Sequence, residues 1–172
     1  MVQGRGMQSD ARAGWVARMA IACVSITAIV AIGVMMGLFS GSRPEGIGSR
    51  DGRLAPCKRT PNCVSSQADV DKDAGHYVAP IRIEGRARDV WMALRSVLRS
   101  MPRVRLVTEG ENYLHAECAS RIMGFVDDAE FLLDEKARVI HVRSASRLGK
   151  SDFGVNRARA ESIRSRLAAM TR

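Results

Sequence analysis

Apolar residues along this chain follow three spacings in turn: first an unbroken run, then every third or fourth position, then every second. The unbroken run is Met19–Phe39, 21 residues without a charge. As a helix it rises about 30 Å, enough to cross a hydrocarbon core, and it predicts a transmembrane helix. His76–Glu84 follows, with Val78, Ile81 and Ile83 apolar and Pro80 marking an edge or a bulge, a strand pattern. Val90, Trp91, Leu94, Val97, Leu98 and Met101 then recur at helical spacing, with Arg88, Arg95 and Arg99 on the other side and Pro102 as the stop. From Val104 the period is two. Val104–Thr108, Tyr113–Ala119, Phe125–Leu133 and Arg138–Ser144 read as four strands. A last helix is expected with Asp152 or a neighbour as its cap and Ala160, Ile163, Leu167 and Met170 along one stripe.

Strand, helix, four strands, helix is the order of an α+β domain, and an antiparallel sheet with both helices on one face buries the two helical stripes economically. By analogy of element order this β-α-β4-α layout is TBP-like or helix-grip-like. The chain divides into a cytoplasmic tail (1–18), the transmembrane helix (19–39), a linker rich in Gly, Pro, Ser and Asp (40–53) and the α+β domain (54–172). A cleaved signal peptide is the rival for the apolar run. Its usual apolar region of about 7–15 residues and A-x-A-like exit fit this segment less well.

Charge leaves the orientation open, because Arg5, Arg12 and Arg18 before the span are matched by Arg43, Arg50 and Arg53 after it. Cysteine usage leans one way. Cys57 and Cys63 lie in PCKRTPNCVSS, where Pro56, Pro61 and Asn62 bend the chain, so a disulfide, a metal knuckle and free thiols are the readings. Two cysteines with His76 as the nearest imidazole fall short of a zinc set, and no metal site is expected. The disulfide is favoured, and with it a periplasmic domain on a single-pass inner-membrane protein.

The net charge of +9 suggests an acidic partner, but its distribution weakens that inference. Residues 109–135 hold eight acids against Arg121 alone, and residues 138–172 hold nine bases against Asp152 and Glu161. Adjacent blocks of opposite sign neutralise each other within one fold, and few aromatics are available for stacking, so nucleic acid is disfavoured.

A hairpin loop at Asp134–Ala137 would pair Leu133 with Arg138, Phe131 with Ile140 and Ala129 with Val142, a greasy face for the helices. The other face would then pair Glu130 with His141 and Asp128 with Arg143. A loop at Arg121–Gly124 adds Glu117 beside Asp128 and His115 beside Glu130. This surface has three readings: a solvated outer face, a ligand site with Arg143 and Arg147 as forks, or a hydrolytic site. For hydrolysis the candidate bases or ligands are Asp128, Glu130, His115 and His141, though no metal box such as HExxH is present. Asp127 points to the helix side, where Ser144, Ser146, Arg147 or Asn156 are its expected partners. Gly149 and Gly154 bracket a turn that could cradle an anion or fix the docking of the last helix.

PNCVSSQ, YLHAE, GFVDDAEFLL and HVRSASRLGKSDFGVNRAR together resemble the DUF1499 family, a bacterial and plastid-lineage domain of unassigned biochemical function, over about residues 54–170. The resemblance implies one signature of Cys57, Pro61, Asn62, Cys63, Ser65 and Ser66. The other comprises Phe125, Asp127, Asp128, Glu130, Arg143, Ser144, Ser146, Arg147, Gly149, Asp152, Gly154, Asn156 and Arg159. Cys118 is assigned no role. The expected function is binding of a small anionic ligand, a lipid head group or a protein partner through Asp127, Asp128, Glu130, Arg143, Ser144, Ser146, Arg147, Asp152, Asn156 and Arg159. The alternative is a hydrolase using Asp128, Glu130 and His141, and no cofactor is specified.

Overall fold

The computed structural model describes residues 6–35 and 37–171, and the chain divides into two compact units, Met1–Leu38 and Phe39–Arg172. In the first unit, α1 (Gly6–Met35) contains a 20-residue stretch, Gly14–Gly33, with a mean hydropathy of 2.1. Among the described residues it is the one helix long and apolar enough to cross a membrane. Exposed Ile21, Val24, Ile26 and Ile29 put apolar surface on all sides of it, where a water-soluble surface helix would keep a polar face. The helix begins earlier and ends earlier than the expected 19–39. Gly37 turns the chain at φ 67, a left-handed conformation open to glycine, so Leu38 and Phe39 lie beyond the helix. Met36 lies outside the described residues.

The second unit opens with a small hairpin, β1 (Ser49–Arg50) and β2 (Arg53–Leu54). A six-stranded antiparallel sheet follows, formed by β3 (Cys63–Ser65), β4 (Ile81–Arg82), β5 (Val104–Glu109), β6 (Tyr113–Ala119), β7 (Val126–Asp134) and β8 (Val139–Ser146). Its order is β3-β8-β7-β6-β5, and β4 also pairs with β8. Helices α2 (Ala87–Ser100) and α3 (Val155–Met170) lie together on one face. Val90, Trp91, Leu94, Val97 and Leu98 of α2 and Ala160, Ile163 and Leu167 of α3 meet Leu114, Ala116, Ala129, Phe131, Ile140 and Val142 of the sheet in one core. Met170 does not join that stripe and is 56% exposed at the last turn of α3. The α+β class with an antiparallel sheet and two helices on one face is what the periodicity predicts.

Three local expectations change. The strand at His76–Glu84 contracts to Ile81–Arg82, since Pro80 cannot donate to a ladder and the His76 ring is engaged by Asp73 and the Thr60 carbonyl. The β7–β8 loop is Glu135–Arg138, one residue later than expected, with Asp134 opposite Val139. The Asp134 side chain accepts the Ala137 N–H at 2.9 Å, and Arg138 takes φ 56, held by its donation to the Ile83 and Gly85 carbonyls. Pairing therefore slides by two residues, which keeps every side chain on its expected face but changes its partner. Glu130 faces Arg143 in place of His141, and Asp128 faces Ala145 in place of Arg143. The β6–β7 register is the expected one, with Glu117 opposite Asp128 and His115 opposite Glu130.

The largest departure concerns the second face of the sheet, which is dry. His115, Asp128 and Glu130 are at most 1% exposed and Arg143 is 7% exposed, so the reading of a solvated outer face does not hold. Segment 39–56, whose composition suggested a linker, supplies polar partners to this face. The Gly48 N–H donates to Glu130 at 2.9 Å, Arg43 reaches Glu117 at 2.7 Å, and Leu54 is buried with its N–H on the Gln67 side chain. A Cβ on Gly41, which sits at φ 65, would lie 3.0 Å from both Arg147 and Leu148 side-chain atoms, so this close approach and backbone conformation favour glycine.

Candidate functional site

The sheet separates the predicted site residues into two networks, one on each face. On the face away from the helices, Arg147 is the hub. It donates to Asp128 through Nε at 2.8 Å and through a terminal nitrogen at 2.7 Å, and that terminal nitrogen also reaches Glu117 at 2.6 Å. His115 Nε2 contacts Asp128 at 2.8 Å, while Arg43 and Arg105 also donate to Glu117. Glu130 accepts from Arg143 at 2.7 Å, the Tyr113 hydroxyl at 2.8 Å and the Gly48 amide at 2.9 Å. Burial raises the Asp128 carboxyl, but the Arg147 and His115 hydrogen bonds outweigh it and leave its pKa lowered to about 2. Glu117 is likewise pushed up by burial, then brought down to about 2 by Arg43, Arg147 and Arg105. The Tyr113 hydroxyl is raised by burial and by the Glu130 charge, so it stays a donor. The Arg143 Nε is buried without a partner.

On the helix face the hub is Asn156, fully buried in the first turn of α3. Its side-chain oxygen accepts from Ser144 and Arg159, both at 2.6 Å, and its amide donates to Ser146 Oγ at 3.0 Å and the Asn62 carbonyl at 3.1 Å. Arg159 donates to Asp127 at 2.6 Å, an ion-pair partner absent from the four residues expected for that carboxylate. The N-cap of α3 is Gly154, and Asp152, two residues before it, accepts from the Gly154 and Asn156 N–H groups. Burial raises its pKa, and these backbone hydrogen bonds reverse the shift to a net lowering. Asn62 extends the network to the cysteine loop, donating to the Gly149 carbonyl at 2.9 Å while accepting from Thr60. The Cys57–Cys63 disulfide closes that loop.

His141 joins neither hub. It pairs across from Leu132, contacts Ser66 Oγ at 3.3 Å, and lies 4.0 Å from Asp134, while burial lowers its pKa. The hydrogen-bonded networks therefore do not bring His141 together with Asp128 and Glu130. Sequence reasoning did not single out Arg43, Gly48, Arg105 or Tyr113, which complete the first network. Tyr113 was legible in principle, two residues before His115 and so on the same face of its strand, whereas Arg43 and Gly48 sit in a segment with no periodicity.

Where the two networks meet the same end of the sheet, a pocket of about 340 Å³ opens. Phe125, Leu148 and Phe153 give it apolar walls, and Asp127, Ser146 and Asp152 put polar groups among them. Phe125 also meets Phe39 edge to face, with ring centroids 5.7 Å apart.

An antiparallel sheet carrying two helices, a buried arginine–carboxylate face and a disulfide-closed loop defines an α+β domain with two structural polar networks. The chain belongs to the DUF1499 family, proteins of unknown function, whose family model matches residues 53–167. No curated protein and no solved structure matches it.

Proposed function

We propose that this chain is a single-pass protein of the inner (cytoplasmic) membrane whose domain lies in the periplasm and binds a lipid head group in the pocket between Phe125 and Phe153. The observation that carries the reading is the contrast between that pocket and the rest of the polar chemistry. The Asp128 and Glu130 carboxylates are engaged by arginines and buried donors, while the pocket combines apolar walls with polar groups. The apolar walls favour an amphiphile over a free anion, and the Asp127 and Asp152 carboxylates favour a head group that also carries a cation. The disulfide supports an oxidising compartment, and the 20-residue apolar stretch supports retention in the membrane, although a signal sequence has the same appearance.

Hydrolysis by Asp128, Glu130 and His141 has less support. Asp128 is held ionised by Arg147 and His115, Glu130 accepts hydrogen bonds from Arg143, Tyr113 and the Gly48 amide, and His141 is turned to Ser66. Native mass spectrometry of the full chain released from mild detergent tests the binding reading. One retained phospholipid is expected, lost in the Leu148→Glu variant; wild-type protein without an adduct, or a variant that keeps it, contradicts the proposal. The intact mass of the protein taken from cell membranes tests the anchor, and a chain starting near residue 40 would contradict it.

A further inference from the structure

The two strands that frame the pocket have their ends beside Phe39, the first residue of the second unit. Six peptide steps join Gly33 to Phe39, so Phe39 lies within about 21 Å of the end of the apolar stretch however the linker runs. Phe39 packs on Phe125, which places this end of the sheet on a short tether. The same end exposes large apolar side chains that the core does not need. Phe153 is 97% exposed, Ile122 79% and Leu148 41%, with Leu148 and Phe153 lining the same pocket and Ile122 on the β6–β7 loop. Exposed apolar residues scattered singly would need no explanation, but these occupy loops at one end of one sheet.

Exposed bases belong to the loops at the same end. Lys58 and Arg59 in the disulfide loop, Arg121 before Ile122, and Lys150 after Gly149 are all exposed. The disulfide loop belongs to this end because Cys63 pairs with Ala145 and Asn62 bonds to Gly149. Asp152, the acid just before α3, is occupied by two backbone N–H groups. Apolar tips accompanied by lysine and arginine are what an anionic bilayer surface accepts, the tips entering the head-group layer and the bases meeting phosphates.

We infer that the domain rests on the membrane through this end, with Ile122, Leu148 and Phe153 in the head-group layer of anionic lipid and the pocket mouth opening onto it. The inference rests on the membrane-anchored reading and adds the orientation of the domain on its own bilayer. Strand β7 has nine residues and spans about 30 Å, so its other end, at the Glu135–Arg138 loop, stands clear of the lipid.

The test uses the full recombinant chain, verified as uncleaved by its mass, with Cys23→Ala so that the buried Cys118 is the only other free thiol. A fluorophore is attached at Ser151→Cys in one sample and at Glu135→Cys in another. Both are reconstituted in nanodiscs of phosphatidylglycerol and phosphatidylcholine containing nitroxide-labelled lipid. Quenching severalfold stronger at position 151 than at position 135 is expected, falling to the level of position 135 when Ile122→Asp and Phe153→Asp are added. Equal quenching at the two positions, or quenching at 151 that survives the aspartates, would overturn the inference. Because the helix is inserted by reconstitution, cleavage in cells refutes the anchor without deciding this result.

Discussion

Arg147 shows how one residue can join several acids that would otherwise repel each other. Glu117 and Asp128 stand opposite each other on neighbouring strands, an unfavourable pairing of like charges unless a cation bridges them. Arg147 does so with charge-assisted bonds to both, and its side chain is 6% exposed. Removing one partner of a buried pair leaves the other uncompensated, so Arg147→Met is expected to cost about 3–5 kcal/mol. Urea denaturation of residues 39–172 checks this, and a loss below about 1 kcal/mol, typical of surface pairs, would contradict it.

The same residues set the acid limit. Asp128 and Glu117 have folded pKa values near 2, below their unfolded values near 4. A lowered carboxylate contributes stability that is present above the unfolded pKa and lost as pH falls through the folded one. Each carboxylate therefore contributes about 3 kcal/mol at neutral pH, and thermal melts should show the loss between about pH 5 and pH 2. His141, lowered by burial, adds loss of the same sign as pH falls below its unfolded pKa. His76 runs the other way. Burial lowers it but its bond to Asp73 wins and leaves it raised, so its contribution is full at low pH and fades as pH rises through the raised value.

At the scale of elements, the disulfide loop and the first turn of α3 act as one clamp. Cys57 and Cys63 are six positions apart, and a loop that short restrains the unfolded chain by about 2 kcal/mol. Reduction by dithiothreitol is expected to lower stability by that amount, and an unchanged melting temperature in reduced protein would contradict it. Asn156 accepts from Ser144 of β8 and donates to Ser146 of β8 and to the Asn62 carbonyl of the disulfide loop, so Asn156→Ala strands several buried groups and is expected to cost about 2–3 kcal/mol in the same denaturation assay. Alternation in β6, β7 and β8 made the two faces of the sheet legible, because side-chain direction follows a period of two whatever the exact pairing. It could not give the pairing itself across β7–β8. That depended on Asp134 capping Ala137 and on Arg138 accepting a left-handed conformation, neither of which alternation encodes. The split of Asp127 from Asp128 was legible for the same reason, as adjacent strand residues point to opposite faces.

For the whole molecule, the balance between the acidic and basic blocks is realised inside the fold, with Arg143, Arg147 and Arg159 each bound to an acid of β7. What the pattern of residues did not disclose is that both faces of the sheet would be closed. Residues 40–53 lack an apolar period because they bury backbone and glycine against charged side chains, and hydrophobic spacing is blind to that kind of cover. Among the described residues the buried apolar side chains all fall between Leu54 and Leu167, so the second unit carries its own core and residues 39–172 are expected to fold without α1.

The closed polar face is the claim on which the rest depends, since an open one would return Asp128 and Glu130 to solvent and to chemistry. Amide hydrogen exchange at Gly48 measures it most directly, because that N–H is bound to Glu130 and belongs to a segment with little secondary structure of its own. Protection comparable to that of the β6 and β7 amides is the predicted result. Exchange at the rate of a free chain would contradict it.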